Sequence, residues 1–121
     1  MSEQRRLQNY LQDILEAIDR MRRYVEHMDE EAFLNNRLVQ DAVVRNFEII
    51  GEASHNIRKL YPEFFVDHPG LPLAYAYQMR NALAHGYFDV NIKIVWRTIR
   101  DDLPGLDEKI RALGPDLVEG Q

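Results

Sequence analysis

The chain contains no cysteine, so it can form no disulfide and offers no thiolate to a metal or to a nucleophilic mechanism. Nowhere does it run through the ~20 apolar residues that a membrane-spanning helix needs. It also lacks a basic surplus. Its 15 Lys and Arg face 20 Asp and Glu, for a formal net charge of −5. A general nucleic-acid binder carries an excess of positive charge. Any chemistry on a polyanion must therefore rest on a local positive site, and the acidic bulk leaves room for a protein partner with a basic surface. The opening residues, MSEQRRLQNY, carry no apolar stretch of the signal-peptide kind. The expectation is a cytoplasmic chain with no membrane association. Repeats, low-complexity tracts and interdomain linkers are missing too, so the 121 residues are read as one domain, 1–121, with an ordered core over 3–113.

What is present is helical periodicity. Leu7, Leu11, Ile14, Ile18, Met21, Val25 and Met28 step alternately by four and three, the seam of a helix packed along another. A first helix is expected over 3–28, with Glu3, Arg5, Arg6, Asp13, Glu16, Arg20 and Arg23 on its solvated face. Asp29 is a plausible N-cap for a short turn of helix, EEAFLNN, with Glu30 and Glu31 where the helix dipole favours them. A second main helix is expected over 37–60. Val39, Val43, Asn46 or Phe47, Ile50, Ala53, Ile57 and Leu60 mark its buried side. The segment YPEFFVDHPGLP breaks the helix with its prolines and glycine. Pro72 suits the first turn of a third helix running to His85, with Gly86 closing it. Asp89 or Asn91 is the expected cap of a fourth helix carrying Ile92, Val95, Trp96, Ile99 and Leu103. Pro104 and Gly105 should kink or end it, and a shorter helical piece should follow to Leu113. Four main helices on short connections make an all-α, antiparallel bundle.

One stretch concentrates chemistry: Met79-Arg80-Asn81-Ala82-Leu83-Ala84-His85-Gly86-Tyr87-Phe88. Metal-free cleavage of RNA requires a proton to leave a ribose 2′-hydroxyl, negative charge to be stabilised on a crowded phosphate, and a proton to reach the leaving 5′ oxygen. Histidine, with an ordinary pKa of ~6.5, can move protons near neutrality. Arginine stays charged and presents a planar fork to phosphate oxygens. Around a continuous helix, however, Arg80 and His85 stand ~140° apart. Either the helix unwinds near Gly86, or two copies meet about a two-fold axis and share a cleft. The second option is preferred. Asn81, one turn before His85, could orient its imidazole.

The stretch Arg80-Asn81-x-x-x-His85-x-Tyr87 resembles the R-x4-H-x-Y signature of HEPN-domain toxins, specifically those of the HepT type. The second-helix block Asp41–Ala53 and the Trp96…Asp102-Leu103-Pro104 block resemble the same family, and the likeness spans residues 7–112. The resemblance implies the HEPN fold, a homodimer with a shared cleft, and metal-independent endoribonuclease action on cellular RNA by Arg80 and His85, with no metal and no cofactor. It implies as partner a minimal, MntA-like nucleotidyltransferase antitoxin that blocks the cleft by transferring AMP to Tyr87. The sequence departs from its relatives at Leu73, where a tryptophan is common.

Other residues read more plainly. Glu48 and Glu52, one turn apart, could hold a metal or a proton, but are better read as orienting Arg80 or Arg45 through ion pairs. Gly51, in mid-helix, implies a close approach of another helix or subunit. Arg45 and Asn46 could line the cleft or make structural hydrogen bonds. His27, His55 and His68 lack metal-ligand spacing. Trp96 is expected in the core, one of Tyr75 and Tyr77 faces inward, and Arg20, Arg22 and Arg23 form a solvated face. The alternative to an enzyme is a non-catalytic docking or nucleotide-binding module for a nucleotidyltransferase.

Overall fold

A computed structural model describes the backbone over residues 3–84 and 88–114 and the side chains over 7–82 and 92–114. The described chain is all helix, with no strand. α1 spans Glu3–Tyr24, α2 Glu30–Leu34, α3 Arg37–Leu60, α4 Pro62–Asp67, α5 Leu73–Ala84, α6 Phe88–Arg97 and α7 Leu103–Arg111, with a π turn over Thr98–Asp102 between the last two. The four longest, α1, α3, α5 and α6, answer to the four main helices read from periodicity. The connections expected between them are themselves largely helical.

α3 is bounded by local chemistry. The Asn36 side chain accepts from the Val39 N–H at 3.0 Å. At the other end Pro62 cannot donate to Arg58, and its ring pushes Tyr61 off helical backbone, to φ −133° and ψ 59°. The same proline then starts α4, so the proline-rich segment is not simply a loop: Pro62 occupies the first turn, where its missing N–H costs nothing. α1 ends earlier than its apolar stripe implies. Beyond Tyr24 the bonds tighten, Glu26 N–H to Arg23 O at 3.3 Å and Met28 N–H to Val25 O at 2.9 Å. Asp29, in extended backbone, then caps α2 by accepting from Ala32 N–H. α6 begins at Phe88, so Asp89 and Asn91 lie inside its first turns rather than before them. Pro72 precedes α5, and its carbonyl accepts from Ala76 N–H.

α3 is the central element, packed against α1 on one flank and α5 on the other, while α6 rests on α2 and α5, and α7 on α1. Leu11, Ile14, Ile18, Met21, Val43, Ile50, Ile57, Val95 and Ile110 are almost wholly removed from solvent. Phe33 of α2 is fully buried and meets Trp96 of α6 at 5.2 Å between ring centres. Gln40 secures the end of α2 by donating to Phe33 O and Leu34 O. Three expectations are corrected here. Asn46 and Phe47 are both buried. Leu60, in the last turn of α3, is exposed. Neither tyrosine of α5 enters the core, since Tyr75 is exposed and Tyr77 lies on the surface of α3. Leu73 is fully buried.

The π turn has a visible cause. Pro104 has no N–H for the Arg100 carbonyl, and its ring crowds that carbonyl. The Leu103 N–H instead bonds Thr98 O, one residue farther than in an α-helix. The break in regular α-helix expected at Pro104 and Gly105 therefore falls in the turn before them.

Candidate active site

Arg80 leaves the side of α5 that faces α3, and Gly51 receives it. A Cβ at position 51 would overlap Arg80 Cβ and lie 2.7 Å from Arg80 Cγ and 3.3 Å from Ala76 O. The buried mid-helix glycine is thus a close-approach residue between α3 and α5, and what approaches is the stem of the arginine. Beyond that crossing the guanidinium emerges, on a side chain about one-third exposed as a whole. Its Nη2 donates toward Glu52 Oε2 at 3.4 Å, and Nη1 donates to Asn81 Oδ1 at 3.1 Å. Its Cζ stands 5.9 Å from the Tyr77 ring centre, and the His55 ring stacks on Tyr77 at 4.8 Å. The two polar contacts take one N–H from each terminal nitrogen, which leaves three donors of the fork outside them.

Arg80 forms part of the wall of an open pocket of about 270 Å³ that runs along α3. Tyr10 and Asp13 of α1 line it, together with Arg45, Glu48, Ile49, Glu52, Ala53 and Asn56 of α3. Positions 45, 48, 52 and 56 step by three or four and so share one helical face. Arginines alternate here with three carboxylates. That is not the continuous basic track of a backbone binder, but it suits one phosphate held by a directed guanidinium. Asp13 titrates above its ordinary 3.8, first because burial penalises its charge and second because Glu16 repels it; Arg20 opposes the shift. A carboxyl raised by folding weakens the fold as pH climbs through the interval between its unfolded and folded pKa values, and the cost persists above it. Asp13→Asn is therefore expected to raise Tm slightly at pH 7, and thermal melts should show the gain vanish below pH 3.8.

The residues singled out in the sequence fall as follows. Arg80, Asn81, Arg45 and Glu48 lie at or beside this pocket, and the ion-pair partner of Arg80 is Glu52. Asn81 accepts from Arg80 through its carbonyl oxygen; its expected contact with His85 lies outside the described residues. His85 and Tyr87 lie outside the described residues. Asn46 is structural, for its Oδ1 accepts from Arg20 Nε at 2.8 Å and its Nδ2 donates to Ala42 O at 2.9 Å. Arg20 consequently belongs to the α1–α3 contact and not to the solvated face, whereas Arg22 and Arg23 are exposed. His27 is exposed and His68 packs on Phe64. Among the described residues no group of three or more His, Asp or Glu is arranged to hold a metal ion, and no helix is long and apolar enough to cross a membrane. Tyr10 and Asn56 went unnoticed in the sequence, and Asp13 was read there only as part of a solvated face; the 45–48–52–56 ladder was the available signal for Asn56.

Comparison with known proteins gives this arrangement a lineage. Residues 14–113 match the family model described as "Ribonuclease HepT-like". The chain is 38% identical over 105 residues to a protein of Thermococcus cleftensis named "Probable ribonuclease HepT", covering 87% of this chain and 93% of that one. It is 33% identical to a provisionally named RNase of Methanocaldococcus jannaschii, covering 84% of this chain and 90% of that one. A similarly named protein of Caldanaerobacter subterraneus is 35% identical, with 86% and 90% covered. No solved structure matches the chain. On the family match over residues 14–113 and on these relatives, the chain belongs to the HepT-like ribonuclease family.

Proposed function

We propose that this single-domain protein is a metal-independent endoribonuclease acting as the toxin of a two-protein toxin–antitoxin system in the cytoplasm. The observation that carries the reading is the presentation of Arg80: its stem is fixed over Gly51, its fork is held by Glu52 and Asn81, and donors remain for a phosphate at the pocket rim. Five residues on, His85 supplies the proton chemistry. In this reading His85 takes the proton of a ribose 2′-hydroxyl, the 2′ oxygen attacks phosphorus, and the bond to the 5′ oxygen breaks as that oxygen takes a proton from an imidazolium of the shared cleft. A 2′,3′-cyclic phosphate and a 5′-hydroxyl result. Arg80 stabilises the charge that accumulates on the phosphate oxygens. The chain acts as a homodimer, whose two-fold axis brings Arg80 and His85 of both copies into one cleft and doubles the local positive charge against the −5 of each chain.

The partner is an MntA-like nucleotidyltransferase. The Tyr87 hydroxyl attacks the α-phosphorus of ATP on that enzyme, pyrophosphate leaves, and AMP remains on the tyrosine. An anionic adduct two residues from His85 occupies the place of a substrate phosphate and closes the site.

The test is cleavage of total RNA in excess EDTA by protein whose intact mass shows no adduct. The unmodified chain is expected to cut, and a folded, dimeric His85→Ala variant to be slower by at least ~100-fold. Silence of both across several RNAs assigns the chain instead to docking on a nucleotidyltransferase.

A further inference from the structure

Building on the ribonuclease reading, we infer that Gly51 and Glu52 of α3 form a positioning pair for Arg80: the glycine sets where the arginine crosses α3, and the glutamate sets where its fork points. Neither residue touches the reacting atoms. Arginine carries several rotatable bonds, and an untethered guanidinium on a side chain one-third exposed to water would sample many directions. Here the first part of the side chain has no such freedom. Its Cβ and Cγ fill the space a side chain at 51 would need. At the far end, Glu52 and Asn81 grip one terminal nitrogen each, at 3.4 Å and 3.1 Å. A planar group tethered through both terminal nitrogens has a defined plane, and the donors outside these contacts then have a defined direction.

Stability does not account for the ion pair. Glu52 is more than half exposed, and exposed ion pairs contribute little to folding. Nor is Glu48 an equivalent choice: it lies one turn earlier on the same pocket wall, yet the carboxylate paired with Arg80 is that of Glu52. The adjacency of 51 and 52 places the absence of a side chain and the presence of a carboxylate on successive residues, as one arginine crossing the helix requires.

The experiment uses the full-length dimer and a fluorogenic RNA of mixed sequence, with kcat and KM measured separately. Glu52→Gln is expected to lower kcat about tenfold and to leave KM within about twofold. Its Tm should stay within about 2 °C of the parent. Glu52→Asp, which keeps the charge on a shorter arm, should recover part of the loss. Gly51→Ala should lower kcat at least about tenfold, because α5 must move off α3 to make room; should that variant not fold, Glu52→Gln still decides. In an Arg80→Ala background Glu52→Gln should cost nothing further, since a positioning residue has nothing left to position. Wild-type kcat in Glu52→Gln, beside an Arg80→Ala protein that has lost cleavage, overturns the pair and leaves the ribonuclease reading intact. An undiminished Glu52→Gln loss in the Arg80→Ala background overturns it as well. An adduct-free parent that cuts nothing removes both.

Discussion

Arg80→Ala is expected to slow RNA cleavage by about 10²–10³-fold, the usual cost of deleting one preorganised donor that meets charge developing in a transition state. The loss should appear in kcat at fixed ionic strength. Arg80→Lys is the informative companion. Lysine keeps the charge but not the planar fork, so it cannot reproduce the two-point grip of Glu52 and Asn81 while addressing a phosphate. It should fall between the parent and the alanine variant, nearer to alanine. Because the guanidinium is partly exposed, the melting temperature should move little. Wild-type cleavage by a folded Arg80→Ala dimer would remove this residue from the chemistry, and the proposed mechanism with it.

The largest effect on stability is expected at Phe33→Ala. Phe33 has no exposed surface and packs on Trp96. It is the buried anchor of a five-residue helix that cannot stand alone. Truncating a buried phenylalanine costs about 3–5 kcal/mol. At ~3–6 °C per kcal/mol for a chain of this size, that lowers Tm by ~10–30 °C. Urea unfolding followed by circular dichroism should show the midpoint fall with little change in slope. A variant that melts like the parent would mean that α2 is not held through this ring. Loss of α2 would reach α3 and α6 as well, since α2 packs on both.

How far the sequence discloses this molecule depends on how local each cause is. The limits of α3 are legible because a side-chain cap at Asn36 and a proline at 62 act within a few residues. The end of α1 is not, because its apolar steps continue to Met28 while the hydrogen bonds have already changed. α4 hides in a segment whose prolines suggest only a break, although a proline that ends one helix is well suited to begin the next. Arg80, His85 and Tyr87 stand out in the sequence as a motif confined to eight residues, and of the three Arg80 is the one the structure describes. Gly51 signals a close approach without naming what approaches. The choice of Glu52 over Glu48 as partner of Arg80 depends on the rotation of α5 against α3, a tertiary fact that periodicity does not carry. Asp13 stands 67 positions before Arg80, and only the packing of α1 on α3 brings both to one pocket.

The π turn ahead of Pro104 bears on the whole carboxyl-terminal part of the fold. Val95, Ile99 and Leu103 are all buried, at successive spacings of four. On a regular α-helix each such spacing drifts by ~40°, so the third residue would stand ~80° away from the first. The wide turn accommodates one residue more than an α-helical turn would, and so takes up much of that drift. The phase of the helix is thereby reset, and Leu103, Leu106 and Ile110 of α7 come round to the core. In effect the chain carries a one-residue surplus at Thr98–Asp102, and that surplus sets the direction in which α7 faces.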